Sequence, residues 1–500
     1  MTPRFRLALI AGFVALAGCS DSFNAGPMAY STAPELAGLE QPRIGADGKP
    51  VLVDGKPEMA AQTELRRRVT SGMKAAFGDN PQQIRVPKGS GLPEGGAWLA
   101  DRAILLGKDT KETLEPLPVG YPEIDSEGKA TNRSVLLEGG YSLYRKHCLH
   151  CHGVSGDGGG PTASFLWPRP RDYRKGLFKF TSTTGQKPTR DDLHRVLMNG
   201  IANSSMPSFE ALMNPNQIQQ VIDYVVFLST RGQTEQRLIL EASSDEEPKT
   251  APSEDVKKKS DAEYKTKAEE LAVGVFDSWK AADTEVLRPL SPRTPATQES
   301  ILRGKKLFLG QGTPKLECAG CHGPRGQGNG PSFVSYSMFR EVVFGGDPEA
   351  QDKRLEAYLE KEGDRAVDEE EPEIAKLESP GDREKKAADV KAARINSAKT
   401  LWAGSLDDWK NPLRPANINN GTQTMYKGGR RPIDIYWRIA KGINGAKMPA
   451  HAPLFKDHPE QMWDLVNFVL ALPYQPGLLD DAPDEVAPAT TTTPAPTASK

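Results

Sequence analysis

Cysteine is scarce in this chain, five residues in 500, and four of the five fall in two short clusters, so no framework of disulfides can hold it. An excess of charge of either sign is missing too. With 64 Lys and Arg against 66 Asp and Glu, the chain lacks the strongly basic footprint of a nucleic-acid binder. Hydrophobic residues make up 37% and aromatics 7%, too little for so long a chain to be core throughout. The 47 Gly and 41 Pro mark stretches of linker instead. Long apolar runs are also absent. The run Leu7 to Ala17, preceded by Arg4 and Arg6, is too short to span a bilayer and has the form of an export signal.

What is present is a motif stated twice. Cys148-Leu149-His150-Cys151-His152 and Cys318-Ala319-Gly320-Cys321-His322 are each followed by a Met-Pro pair, Met206-Pro207 and Met448-Pro449. In a Cys-x-x-Cys-His motif the two thiols add across the vinyl groups of a haem, and the adjacent histidine becomes the proximal iron ligand. The expectation is therefore two covalently bound haems c, on Cys148 and Cys151 and on Cys318 and Cys321. His152 and Met206 would hold one iron, and His322 and Met448 the other. A zinc site gathering the four thiols or a dithiol redox site would leave both histidines and both Met-Pro pairs without a purpose. A histidine–methionine pair fills all six iron positions and favours the ferrous state, so such an iron exchanges electrons and does little else. Met198, Met213, Met338 and Met425 read as core fillers. His451 could replace Met448 only by displacing it.

The remaining cysteine belongs to the N-terminus. Leu16-Ala17-Gly18-Cys19 resembles the lipobox of bacterial lipoproteins, which implies removal of residues 1–18 and acylation of Cys19. Several acyl chains on one residue anchor stably. The expected place is the periplasmic side of a bacterial membrane, held by lipid, with inner or outer membrane left open.

The chain divides around the two motifs. Residues 19–132, rich in Pro, Gly and charge, read as a largely irregular tether with one helix over Thr63 to Phe77. In 133–232, Val135, Leu136, Tyr141, Leu143 and Tyr144 lead helically into Cys148. Ile218, Val221, Ile222, Val225 and Leu228 close the unit in a helix predicted to stop before Gly232. In 299–475, Ile301, Leu302, Leu307 and Phe308 precede Cys318, and Met462, Leu465, Val466, Val469 and Leu470 form the last helix. Arg169-Pro170 and Arg414-Pro415 precede their methionines by 37 and 34 residues. This order, repeated, resembles the class I cytochrome c domain. The resemblance implies a mainly α protein, two such helical domains joined and flanked by long linkers.

Three segments stand outside that pattern. Residues 233–298 read as a charged linker with one helix near Asp261 to Ala282, from which Val273, Val275, Phe276 and Trp279 could dock on a haem domain. The second unit carries an insert, 346–400, with helical runs around Arg354 to Glu362 and Asp382 to Lys399 and a net charge of −5 over 347–399. It reads as a solvated excursion that could also dock a redox partner or cover the second haem. Residues 476–500 read as a disordered tail.

Shielded haem propionates need charge-assisted donors, and Arg169 and Arg414 are the first candidates. Arg171, Arg174, Asn417, Arg430 and Arg431 follow them, with Trp167, Trp402 or Trp409 at a haem edge. The function these residues imply is one-electron transfer in a respiratory chain by a carrier, not an enzyme. Its partners would be redox proteins, either membrane respiratory complexes or small cytochromes. The alternatives are a di-haem cytochrome c peroxidase, which keeps one iron reachable by peroxide, and a haem subunit of a larger respiratory complex.

Overall fold

A computed structural model describes residues 28–42, 49–53, 55–81, 84–87, 89–90, 120–124, 130–136, 139–420, 426–475, 477–486 and 488. Cys19, the export signal 1–18, Met425 and nearly all of the tail beyond 486 lie outside them. Residues 477–486, expected as part of a disordered tail, are ordered because Leu479 and Ala482 are buried in the core of the second unit. The described residues are mainly helical, with strand confined to short two-stranded ladders. Among the described residues no helix is long and apolar enough to cross a membrane.

The N-terminal part holds α1 (Pro34–Ala37), β1 (Glu40–Pro42), β2 (Leu52–Val53), β3 (Lys56–Pro57), β4 (Met59–Ala61) and α2 (Thr63–Phe77). β1 pairs antiparallel with β4, Glu40 opposite Ala61, and β2 pairs with β3. β5 (Gly120–Ile124) and β6 (Ala130–Leu136) form a third antiparallel ladder. Helix α2 has the predicted bounds, but it is no feature of a loose tether. Leu65, Val69, Met73, Ala76 and Phe77 make one apolar stripe, and all five are buried in the core of the first unit.

That unit comprises α3 (Gly140–His147), α4 (Leu149–His152), α5 (Arg190–Asn199) and α6 (Pro215–Ala242). α3 crosses α6 through the rings of Tyr141 and Tyr144 on Tyr224, at 5.8 and 5.0 Å. α6 starts where a capping box of Asn214 and Gln217 satisfies the first turn, with Pro215 at the first position. It does not stop before Gly232. The sequence offers glycine as a helix terminator, but here a Cβ would fall 2.4 Å from the Arg174 Cα. Gly232 permits close approach, and α6 continues because Leu238, Ile239 and Ala242 find burial beyond it.

The burial comes from α7 (Glu254–Ala281), which occupies the segment expected as a solvated linker. Tyr264, Ala268, Ala272, Val275 and Trp279 recur at helical spacing and are buried, and α2, α6 and α7 pack together. Trp279 meets Phe178 of the first unit at 5.6 Å, as the docking expectation for Val275 and Trp279 required.

The second unit repeats the crossing. α8 (Gln298–Phe308) leads into α9 (Cys318–His322), and α13 (Pro432–Lys441) precedes α14 (Glu460–Ala471). α8 meets α14 with Phe308 and Phe468 at 5.3 Å. Between α9 and α13 stands the insert. Preceded by α10 (Tyr336–Phe344), it holds α11 (Gln351–Ile374) and α12 (Pro380–Gly404), with both predicted runs extended into long helices. α11 and α12 form a hairpin laced by Lys391–Asp364 at 2.7 Å and Arg394–Glu369 at 2.8 Å. At its base Met338, Phe339, Val342, Tyr358, Leu359 and Trp402 share a small core. Trp167 of the first unit packs on that core, 5.5 Å from Phe339 and 6.1 Å from Phe344.

Candidate haem-attachment sites

Both Cys-x-x-Cys-His motifs coil into a short helix, and in both the histidine ring is anchored in the same way. His152 Nδ1 lies 3.1 Å from the Arg171 carbonyl oxygen, and His322 Nδ1 lies 3.0 Å from that of Ala416. Each carbonyl belongs to the residue after an Arg-Pro pair. A carbonyl can only accept, so Nδ1 carries the proton and Nε2 keeps its lone pair, the tautomer an iron ligand requires. Burial pushes the His152 pKa down to about 4 and lowers that of His322, which keeps both rings neutral.

The loops after the motifs also match bond for bond. The N–H of Gly158 donates to the His152 carbonyl at 2.9 Å, and Gly328 N–H to that of His322 at 2.7 Å. Both glycines have positive φ, +75° and +73°, and a Cβ on either would fall within 2.6 Å of the Pro170 or Pro415 carbonyl oxygen. Only glycine fits such a position. These bonds draw the Arg-Pro segment under the histidine, a contact that bridges 94 positions in the second unit.

The methionine loops close alike. Ile201 N–H donates to the Met206 carbonyl at 3.0 Å, and Ile443 N–H to that of Met448 at 3.2 Å. Helices α5 and α13, which lead into these loops, both begin with an aspartate at the third position, Asp192 or Asp434, accepting from the backbone N–H that precedes the helix at 3.0 Å. Met206 and Met448 are partly buried against the core of their own units. Met213 and Met338 are core residues, and Met198 packs on a core. His451 holds its Nδ1 3.2 Å from the Ile439 carbonyl.

The thiols of Cys148, Cys151, Cys318 and Cys321 are unbridged. Burial pushes Cys148 and Cys318 up to about 12, as expected of thiols enclosed in apolar surroundings. Among the described residues no group of three or more His, Cys, Asp or Glu converges to hold a metal ion. Arg169 Nη1 donates to the Ala163 carbonyl at 2.7 Å, and Arg414 Nη2 to that of Gly328 at 2.8 Å. Both guanidinium groups are brought to the loop behind the motif. Arg414 Nε is buried with no partner, an orphaned donor that a haem propionate would satisfy. The residues present thus fit a haem.

A family model described as cytochrome c oxidase, cbb3-type, subunit III matches residues 136–225. The chain contains a cytochrome c domain. The match covers the first unit and less than half of the chain. No curated protein matches the sequence. Among solved structures, one from the Kuenenia stuttgartiensis reducing HAO-like protein complex Kustc0457/Kustc0458 is 23% identical. It covers 67% of this chain and 94% of its own length, at a TM-score of 0.36, too low to carry an argument.

Some candidates lie elsewhere than expected. Trp402 is buried in the insert's core. Arg174 is held by Asp172 at 2.9 Å, Arg431 by Asp434 at 2.7 Å, and Arg430 lies over the rings of Tyr426 and Tyr474. Sequence reasoning missed the two carbonyls of Arg171 and Ala416. Their signal was the Arg-Pro pair common to both units, which was read for its guanidinium and not for the backbone after it.

Proposed function

We propose that this protein is a carrier of single electrons with two covalent haems c. It would be lipid-anchored at Cys19 on the periplasmic side of a bacterial membrane and would serve respiratory redox proteins. The observation that supports two haems is the duplicated support of the histidine: each motif, 170 residues apart, has its Nδ1 bonded to the carbonyl after an Arg-Pro pair. A sequence match to Cys-x-x-Cys-His can arise by chance. The same bond in both units has a purpose only if Nε2 must point at something.

When bound, haem supplies an iron that alternates between ferrous and ferric. The chain does the rest. Cys148 and Cys151 fix one haem and Cys318 and Cys321 the other. The Arg171 and Ala416 carbonyls hold the tautomer and raise the basicity of His152 and His322. Met206 and Met448 would complete the coordination from loops whose hydrogen bonds fix the backbone, and Arg169 and Arg414 would meet the propionates. Were Met206 and Met448 to ligate the two irons, peroxide would find no open position, which favours relay over peroxidase chemistry.

The test is haem content per chain in the mature protein, measured by mass and by the pyridine haemochrome. Two haems are expected in the wild type and one in a Cys148→Ala, Cys151→Ala double variant. Retention of both in the variant, or a wild type with one, would refute the reading.

A further inference from the structure

The two units touch through a side chain whose neighbours lead to both sites. Trp409 lies in the turn that follows α12. The buried carboxylate of Asp407 accepts from the backbone N–H of Trp409 at 3.0 Å and of Asn411 at 2.9 Å. It also pairs with Lys179 of the first unit at 3.0 Å, so the turn is both rigid and tied across the interface. The Arg171 guanidinium lies 3.6 Å from the centre of the Trp409 ring, close for a cation–π stack. The indole N–H donates to the Asp172 carbonyl at 3.3 Å. Arg171 is the residue whose carbonyl takes the proton of His152 Nδ1. One face of Trp409 therefore rests on the support of the first site's histidine.

The other edge rests on the methionine loop of the second site. A Cβ at Gly445 would fall 2.2 Å from the Trp409 ring, and Asp408 N–H donates to the Gly445 carbonyl at 3.0 Å. Gly445 stands three residues before Met448. The first unit has Asn203 at the matching place, three before Met206, with φ +54° against +66° for Gly445. The backbone conformation is the same in both, and asparagine tolerates it. What the second unit has given up is the side chain, and the Trp409 ring fills that space. At the preceding position the change runs the other way. Ala202 in the first unit is Asn444 in the second, and its side-chain amide donates to the carbonyls of Phe178 and Gln186 at 3.1 and 3.2 Å. Two consecutive positions of one loop thus depart from its duplicate, and both departures serve contact with the first unit.

We propose that Trp409, stacked between Arg171 and Gly445, is the positioning residue through which the two haem units exchange electrons. The inference rests on the two-haem reading above. In the step, one electron leaves the ferrous iron of one unit and reduces the ferric iron of the other, with no bond made and no proton moved. The indole replaces a gap between two loops with continuous packed atoms, and electronic coupling falls steeply across gaps.

The test compares Trp409→Ala and Trp409→Phe with wild type in the full-length, haem-loaded protein. A single electron is injected by pulse radiolysis, and its redistribution is followed where the two haem spectra differ. Haem content and the midpoint potential of each haem are measured alongside. We expect both variants to keep two haems. The alanine variant should slow redistribution roughly tenfold or more and shift the potential of the first haem, whose histidine support has lost its stack. The phenylalanine variant, which keeps a ring on Arg171, should recover most of the rate. An alanine variant as fast as wild type, or a phenylalanine variant slowed equally, overturns the role of the ring. A wild type carrying fewer than two haems would instead bring down the two-haem reading itself.

Discussion

Gly304 offers a quantitative test of how the second unit is held together. It sits on α8 where that helix crosses α14, and a Cβ there would lie 2.1 Å from the Asp464 carbonyl oxygen and 2.6 Å from the Phe468 Cβ. Backbone cannot yield as a flexible side chain can. To restore an ordinary contact of 3.4 Å, the helices in Gly304→Ala must part by roughly 1 Å at the crossing. The parting loosens the Phe308–Phe468 contact and the buried bond from Ser300 Oγ to Asp464 at 2.6 Å. Overpacking of this kind costs about 1–3 kcal/mol, and a weakened buried hydrogen bond about 1–3 kcal/mol. Against these stands the gain from replacing a helical glycine by alanine, about 1 kcal/mol. The balance is a loss of roughly 3 kcal/mol, or about 6–12 °C in Tm for a unit of this size. Thermal unfolding followed by circular dichroism measures it. A variant as stable as wild type, or more so, would show that propensity wins and that the helices do not meet at Gly304.

Two further outcomes are expected. Lys187 is buried, with its ammonium donating to the Gly176 carbonyl at 2.9 Å and to Gln233 at 2.7 Å, and burial pushes its pKa down to about 7. From there up to the ordinary lysine range the unfolded chain binds this proton and the folded chain does not. Stability relative to Lys187→Met should therefore rise with pH, by about 1.4 kcal/mol per pH unit at most. Urea titrations from neutral pH upward check this, and a flat difference would contradict it. At the N-terminus, Cys19→Ala should move the exported protein out of the membrane fraction with both haem spectra unchanged. A variant still held in the membrane would place the anchor elsewhere.

By itself, the sequence determined what is local. Cys148 to His152 and Cys318 to His322 carry their chemistry in five residues, and the helix Thr63–Phe77 could be bounded because its apolar stripe and end signals lie within it. The repetition of Arg-Pro and Met-Pro around each motif added the order of the two units. What tertiary structure decided are the contacts between segments far apart in sequence. Gly232 carries the local signal of a helix end, yet Arg174 lies against it and burial draws α6 on to Ala242. The charge of 233–298 reads as solvent-facing, yet the stripe from Tyr264 to Trp279 finds a core built partly by α2, nearly two hundred residues earlier. Trp409 shows the limit most plainly. Nothing near it in sequence announces Arg171 or Gly445, because a ring's neighbours across an interface leave no periodicity in the chain that bears it.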